Sequence, residues 1–306
     1  MSARGEIASA ARAAALDAAW RQWAAIGAPV SATTAATSVI DPEALLLLSC
    51  ALRDRERRLD DVLAWWAEAG APLLSVQRAR TMAGRWPLSA RAGLAAFAHA
   101  AVAAGDGRWK TLAEPSPEDA LLSRGKRGRE PRLASFPALM LRLRAAFGVG
   151  VKADVLAVLI AMGGADATVR TLVRATGYTA AAVRRETREM VAARVVCGTS
   201  ERPAAYRVDL ALWSSFLGFG PDANVGWRYF AELFAFLAAV TGWGDGEGED
   251  GYVAASTARD IFEAHRPAFE ANRISFIEPD DAPGIGYLDA FGITVRALAD
   301  WMRART

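Results

Sequence analysis

Alanine-rich and apolar segments, interrupted by glycine and proline, predict helices along most of this chain. Asp41-Pro42 opens one of them, because an acidic N-cap followed by proline in the first turn favours helix initiation. Strand signals are scarce outside 195–197 and 206–208. The predicted fold class is mainly α, a multi-helical protein with a small β-hairpin. Further helices are predicted over 6–27, 59–69, 75–85, 88–104, 137–147, 210–217, 224–242, 253–272 and 289–304.

The middle of the chain, residues 151–209, combines three predicted helices with the predicted hairpin. Gly177 provides a tight turn between the second and third of these helices, and Thr179 is a suitable N-cap for the third. The free backbone N–H groups at such a helix start suit a phosphate group. One face of the third helix is largely apolar and consists of Val183, Thr187, Met190, Val191 and Val195. The opposite face is cationic and carries Arg184, Arg185 and Arg188.

This segment resembles the winged helix-turn-helix of bacterial transcription regulators, broadly those of the MarR and ArsR groups. The resemblance implies that the third helix enters the major groove of DNA and that the strand connection forms a wing, with Arg202 at or near its tip. It also implies that bases or flanking phosphates face Ala180, Ala181, Arg184 and Arg185, with Arg188 nearer the DNA backbone. The residues that carry the resemblance are Thr168, Val169, Leu172, Ala175, Gly177, Tyr178, Thr179, Val183, Met190, Ala193, Val195 and Val196.

The segment departs from that family at two places. Arg194 stands where many members have the glycine that ends the third helix, which puts the turn into the wing in doubt. Residues 180–182 are all alanine, whereas direct base readout needs hydrogen-bond donors and acceptors. We therefore expect phosphate contacts and DNA shape to dominate the affinity.

Charge is distributed unevenly along the chain although the formal net charge is only +2. Residues 1–120 carry 13 basic and 13 acidic side chains. Residues 121–211 carry 16 basic and 7 acidic side chains, whereas residues 212–306 carry 7 and 14. A basic middle beside an acidic end is typical of a nucleic-acid module attached to another region.

Composition shifts divide the chain into five predicted regions. Glycine, proline and the basic run 124–129 mark the clearest boundary, because like charges favour an exposed tether. The predicted regions are an N-terminal helix and linker (1–40), a helical domain with the potential to be a second, degenerate winged-helix unit (41–104), a basic Gly/Pro linker (105–135), the winged helix-turn-helix domain (136–209) and an acidic, aromatic-rich helical domain (210–306).

Other chemistries have little support in the sequence. Cys50 and Cys197 show no metal or disulfide spacing, and no Ser/His/Asp or Cys/His arrangement emerges. The acidic loop 245–250 lacks the glycine position and final glutamate of an EF-hand. We therefore predict no enzymatic activity, no cofactor and no metal site. Charged residues interrupt the N-terminal apolar run, and no apolar stretch reaches a membrane span, so we predict a soluble cytoplasmic protein with no membrane partner.

Together these features predict a transcriptional regulator that binds double-stranded DNA. A homodimer is predicted because one short reading helix gives weak affinity and two half-sites are the usual remedy. Residues 210–306 are the candidate dimer or effector surface. Two alternatives stay open: the winged-helix domain could hold a protein partner as an adaptor, and the arginines of the third helix could form a solvated face paired with Glu186 and Glu189.

Overall fold

The computed structural model describes residues 2–30, 34, 36–113, 130–199, 202–219, 226–246 and 251–305. The basic run 124–129 and residues 247–250 of the acidic loop lie outside the described residues. Within the described ranges the chain is mainly helical with one small antiparallel sheet, which confirms the predicted class at that level. None of the helices in these ranges is both long enough and apolar enough to cross a membrane.

Thirteen α-helices and three strands are found in the described part of the chain. The helices are α1 (Ala3–Ala25), α2 (Pro42–Leu52), α3 (Arg58–Ala69), α4 (Val76–Ala83), α5 (Leu88–Ala103), α6 (Leu139–Phe147), α7 (Val151–Ala161), α8 (Val169–Thr176), α9 (Ala180–Ala192), α10 (Leu210–Leu217), α11 (Phe230–Trp243), α12 (Gly251–Asn272) and α13 (Tyr287–Arg305). The strands are β1 (Ala167–Thr168), β2 (Cys197–Gly198) and β3 (Ala205–Arg207).

Local sequence signals set several of these boundaries. The side chain of Asp41 accepts a hydrogen bond from the backbone of Ala44 (3.1 Å), so α2 begins as predicted. In contrast, α11 begins at Phe230, later than the predicted 224–242, and the described residues 226–229 are not helical. These residues connect the two hydrophobic cores, because Trp227 packs in one core and Phe230 in the other.

The larger core is built by the two ends of the chain. It contains the apolar faces of α1 to α5 together with those of α11, α12 and α13. Small side chains on α1, including Ala11 and Ala15, are fully buried and allow α11 and α13 to approach closely. Segments that were predicted to form an N-terminal and a C-terminal domain therefore share one core, and the predicted boundaries between domains stay a prediction.

A second core is formed by α6 to α10 and the sheet. The strand order is β1-β3-β2, with both pairs antiparallel and with Ala167 opposite Tyr206 and Cys197 opposite Arg207. The hairpin is predicted over 195–197 and 206–208, but Val195 lies outside β2. The backbone N–H of Val195 instead donates to Met190 at the end of α9 (2.9 Å), which delays the start of the strand. β1 is not predicted, since a two-residue strand carries no readable period.

Candidate nucleic-acid interface

α9 is held by its apolar face. Val183, Thr187 and Met190 are buried where α9 packs against α7 and α8. The hydroxyl of Thr187 donates to the carbonyl of Val183 (2.8 Å), so this buried hydroxyl has a partner. The spacing in the sequence therefore predicted three of the five residues of this face correctly, whereas Val191 is half-buried and Val195, beyond the end of α9, is exposed.

The start of α9 has the predicted cap. Gly177 adopts a left-handed conformation (φ 74°), which ends α8 and reverses the chain. The Thr179 side chain then accepts a hydrogen bond from the backbone N–H of Ala182 (3.3 Å). Ala180 is half-buried and Ala181 is exposed, so the first turn of α9 presents backbone and methyl groups to its surroundings.

The predicted arginines lie on the outer face of α9. Arg184, Arg185 and Arg188 are all exposed, and the N-cap Thr179 begins the same helix. Arg202 is also exposed, but it belongs to the connection between β2 and β3 rather than to α9. The structure thus brings six of the seven predicted residues onto one helix and its cap, and places the seventh on the hairpin.

The ion pairs of α9 show which of its arginines pair with acidic residues of the same helix. Arg185 contacts Glu186 (2.7 Å), whereas Glu189 is taken by Lys152 of α7 (2.6 Å). Arg188 donates instead to the backbone carbonyl of Arg184 (3.3 Å). Among the described residues, the alternative of arginines paired with acids of α9 therefore applies to Arg185 alone. Arg185 itself is exposed and its contact with Glu186 is open to solvent on the arginine side, so a phosphate could compete for Arg185.

Arg194 sits in the conformation that glycine usually supplies. Its φ is 58°, and the backbone N–H groups of Arg194 and Val195 donate to Val191 (3.0 Å) and Met190 (2.9 Å). These two bonds form a Schellman motif, in which the residue after the cap is left-handed. The turn into β2 is thus made by arginine, at a backbone cost of about 1 kcal/mol or more.

A buried ion network lies beside this segment, and no sequence pattern predicts it as a whole. Glu43 of α2 binds Arg78 of α4 and both terminal nitrogens of Arg144 in α6 (2.6 and 3.0 Å). Arg78 also donates to Asp41 (2.9 Å), and Arg144 binds Asp154 of α7 (2.6 and 2.8 Å). All five side chains are at most 3% exposed, so the network lies wholly out of solvent.

The network also holds the turn that precedes α9. The hydroxyl of Tyr178 donates to Asp154 (2.9 Å), and Arg78 Nε donates to the carbonyl of Thr176 (2.6 Å). Tyr178 is the residue immediately before the Thr179 cap. The start of α9 is therefore fixed to α2, α4, α6 and α7 through charged groups that have no access to water.

Electrostatics keep this network charged. Burial raises the pKa of Glu43, but the neighbouring guanidinium groups of Arg144 and Arg78 outweigh burial and lower that pKa to about 2. Burial and the charge of Asp154 both raise the pKa of the Tyr178 hydroxyl, so it remains a proton donor at neutral pH. The sequence does hold one signal for these groups, because Asp154 interrupts an otherwise apolar run in α7 and a charge in that position needs a partner.

A second contact joins α8 to the larger core. Arg174 binds Glu232 of α11 (2.7 Å), and its guanidinium group lies over the ring of Tyr229, 4.8 Å from the ring centre. Both contacts lie on the side of the second core that faces α11.

No known protein family, curated protein or solved structure matches this chain.

Proposed function

We propose that this chain is a transcriptional regulator that binds double-stranded DNA through a winged helix-turn-helix at residues 151–209. In this proposal α7, α8 and α9 are the three helices, the β2–β3 hairpin is the wing, and β1 completes the sheet. The observation that carries it is the exposed cationic face of α9. This face lies opposite the buried face of the helix and follows the N-terminus capped by Thr179. The proposed activity is binding, with no catalytic step and no cofactor.

The chemistry of α9 favours contacts with the DNA backbone. Arg184, Arg185 and Arg188 would approach phosphates in the major groove, and the N-terminus capped by Thr179 would add backbone N–H donors. Ala180 and Ala181 permit close approach to the bases but offer no hydrogen-bonding side chain. Arg202 would anchor the wing. Specificity would then come largely from DNA shape and deformability.

A band-shift titration tests the proposal. The double substitution Arg184→Ala and Arg185→Ala should weaken binding of duplex DNA and reduce the salt slope of log K by about 1 for each phosphate that the protein no longer neutralises. The matched control is Arg80→Ala with Arg91→Ala, which removes two exposed arginines from α4 and α5. If the α9 variant binds as tightly as wild type, α9 is not the reader.

The adaptor is the second candidate, and one observation favours it. Leu212 and Phe216 of α10 are exposed large apolar side chains next to the second core, as on a protein-binding module. Purification from the native source separates the two functions. Nucleic acid that salt removes favours the regulator, whereas a stoichiometric protein partner without a band shift favours the adaptor. As a regulator the protein would act in the cytoplasm as a homodimer.

A further inference from the structure

One apolar surface of the second core is left uncovered by the described residues. On α10, Trp213 and Leu217 are buried, while Leu212 and Phe216 project outwards with 62% and 68% of their area exposed. Phe147 at the end of α6 is 54% exposed and Val195 after α9 is 37% exposed. We call these four exposed side chains and the groove beside them the α10 surface.

The groove of the α10 surface is a cavity of about 240 Å³. The ring of Trp213 connects the groove with the projecting side chains, because it lines the groove and lies 5.6 Å from the ring of Phe216. Lys152 and Glu189 form an ion pair at the edge of the groove. The main apolar lining residues are Phe147, Leu156, Met190, Val195 and Trp213.

We propose that a second copy of this chain covers the α10 surface, with Leu212 and Phe216 of each copy seated on the groove of the other. A two-fold dimer brings the same patch of both copies together, so the patch must fit itself. Side chains that project directly beside a groove meet this requirement, because the side chains of each copy can enter the groove of the other. The inference rests on the proposed function and deepens it by naming the surface of the dimer.

The size of the patch agrees with a dimer. With a phenylalanine side chain taken as about 200 Å², the exposed fractions of Phe147 and Phe216 supply roughly 240 Å². Leu212 and Val195 add roughly 150 Å². A standard interface covers about 800 Å² per partner and is about 60% apolar, so its apolar part is about 500 Å². The α10 surface therefore provides most of the apolar area that one partner needs.

Charge also favours a second copy at this place. The edge of the groove carries one cation and one anion, Lys152 and Glu189, so two copies facing each other would not repel. The outer face of α9 carries Arg184, Arg185 and Arg188 and would repel its own copy. The groove is lined by Met190 and Ala193, which lie away from Arg184 and Arg188 around the helix. Dimerisation there leaves Arg184 and Arg188 open.

Within 210–306, where the dimer surface is predicted, large apolar side chains are exposed on α10 and also at Tyr252, Val253, Ile285 and Ile293. Most aromatic side chains of the later helices are fully buried in the larger core and have no area left for a partner. Those with at most 1% exposure are Phe230, Phe234, Phe236, Phe262, Phe269, Tyr287 and Phe291. α10 is the helix of this region that packs in the second core and presents a leucine and a phenylalanine four residues apart outwards.

Sedimentation equilibrium of the full chain tests the dimer. We expect wild type to dimerise in the micromolar range and Leu212→Glu and Phe216→Glu each to weaken dimerisation by at least about 30-fold. Both side chains are exposed in the single chain, so thermal unfolding of the diluted variants should match wild type. The matched control is Leu88→Glu, because Leu88 is 74% exposed at the start of α5 and lies outside the α10 surface.

Three results would overturn the dimer proposal: a wild-type protein that stays monomeric at about 100 µM, a Leu212→Glu variant that dimerises as tightly as wild type, or a Leu88→Glu variant weakened as much as Leu212→Glu. Band shifts on the same samples keep the two proposals apart. A monomer that binds DNA through α9 contradicts the dimer alone. If wild type dimerises, Leu212→Glu dissociates the dimer and wild type binds no DNA, only the regulator proposal is contradicted.

Discussion

The hydroxyl of Tyr178 lies 2.9 Å from a carboxylate oxygen of Asp154, and this bond fixes the residue before the α9 cap to the buried ion network. Because the acceptor is charged and buried, Tyr178→Phe should lower the free energy of unfolding by about 1.5–3 kcal/mol. Arg144 continues to bind Asp154 in the variant, so we expect the lower part of that range. Urea unfolding measures the change.

The matched control for this substitution is Tyr206→Phe. Tyr206 is buried in β3, and its hydroxyl has no hydrogen-bond partner among the residues described by the structure. Its removal should change the free energy of unfolding by less than about 0.5 kcal/mol. Equal losses in the two variants would show that the bond from Tyr178 to Asp154 contributes nothing specific.

The lowered pKa of Glu43 predicts that the free energy of unfolding decreases at acidic pH. A carboxyl whose pKa falls from 4.5 to about 2 on folding stabilises the protein above pH 4.5, and this stabilisation is lost as the pH falls towards 2. The loss amounts to about 3 kcal/mol at about 1.4 kcal/mol per pH unit. Removal of the charge in Glu43→Gln should cost about 3–5 kcal/mol at pH 7, since it leaves two buried guanidinium groups short of an anion.

Unfolding of wild type and Glu43→Gln at pH 7 and at pH 3 checks this prediction. The difference in unfolding free energy between the two proteins should become smaller at pH 3, because Glu43 of the unfolded wild-type chain then binds a proton that the folded carboxyl, with its pKa of about 2, does not. A difference of the same size at both pH values would contradict the assignment of a lowered pKa to Glu43.

The left-handed Arg194 predicts a stabilising substitution. Arg194→Gly removes the side chain that opposes φ 58° and keeps both backbone bonds of the Schellman motif, so the free energy of unfolding should rise by about 1 kcal/mol. Arg188→Gly removes the same charge from the interior of α9 and should lower it by about 1 kcal/mol. Thermal unfolding reports both, and a change of the same sign in the two variants would refute the argument.

The close approach of α2 and α5 in the larger core predicts that Gly93 cannot be replaced by a residue with a side chain without loss of stability. A Cβ added at Gly93 of α5 would lie 2.6 Å from the backbone oxygen of Cys50 in α2. Gly93→Ala should therefore separate α2 from α5 and cost about 1–3 kcal/mol.

Gly242 offers a control within a helix of the same core. A Cβ at Gly242 would meet no atom within 4 Å, so Gly242→Ala should stabilise α11 by about 0.5–1 kcal/mol. Differential scanning calorimetry should show the two melting temperatures moving in opposite directions. A Gly93→Ala protein as stable as wild type would mean that α2 and α5 are not in close contact.

Features that depend on neighbouring residues were determined by the sequence alone. The Thr179 cap, the Gly177 turn and the start of α2 at Asp41-Pro42 each involve groups within four residues, and all three are as predicted. The buried positions Val183, Thr187 and Met190 and the exposed arginines of α9 follow for the same reason, because helical period decides which side chains share a face.

Features that join distant segments were decided by the tertiary structure. Glu43 meets Arg78 and Arg144 across 35 and 101 residues, and a sequence provides no measure of that proximity. The aromatic side chains of α11 and α13 could have faced a partner, but packing against α1 turned them inwards. Burial of apolar area is not directional, so which surfaces cover each other is settled only when all the helices are in place.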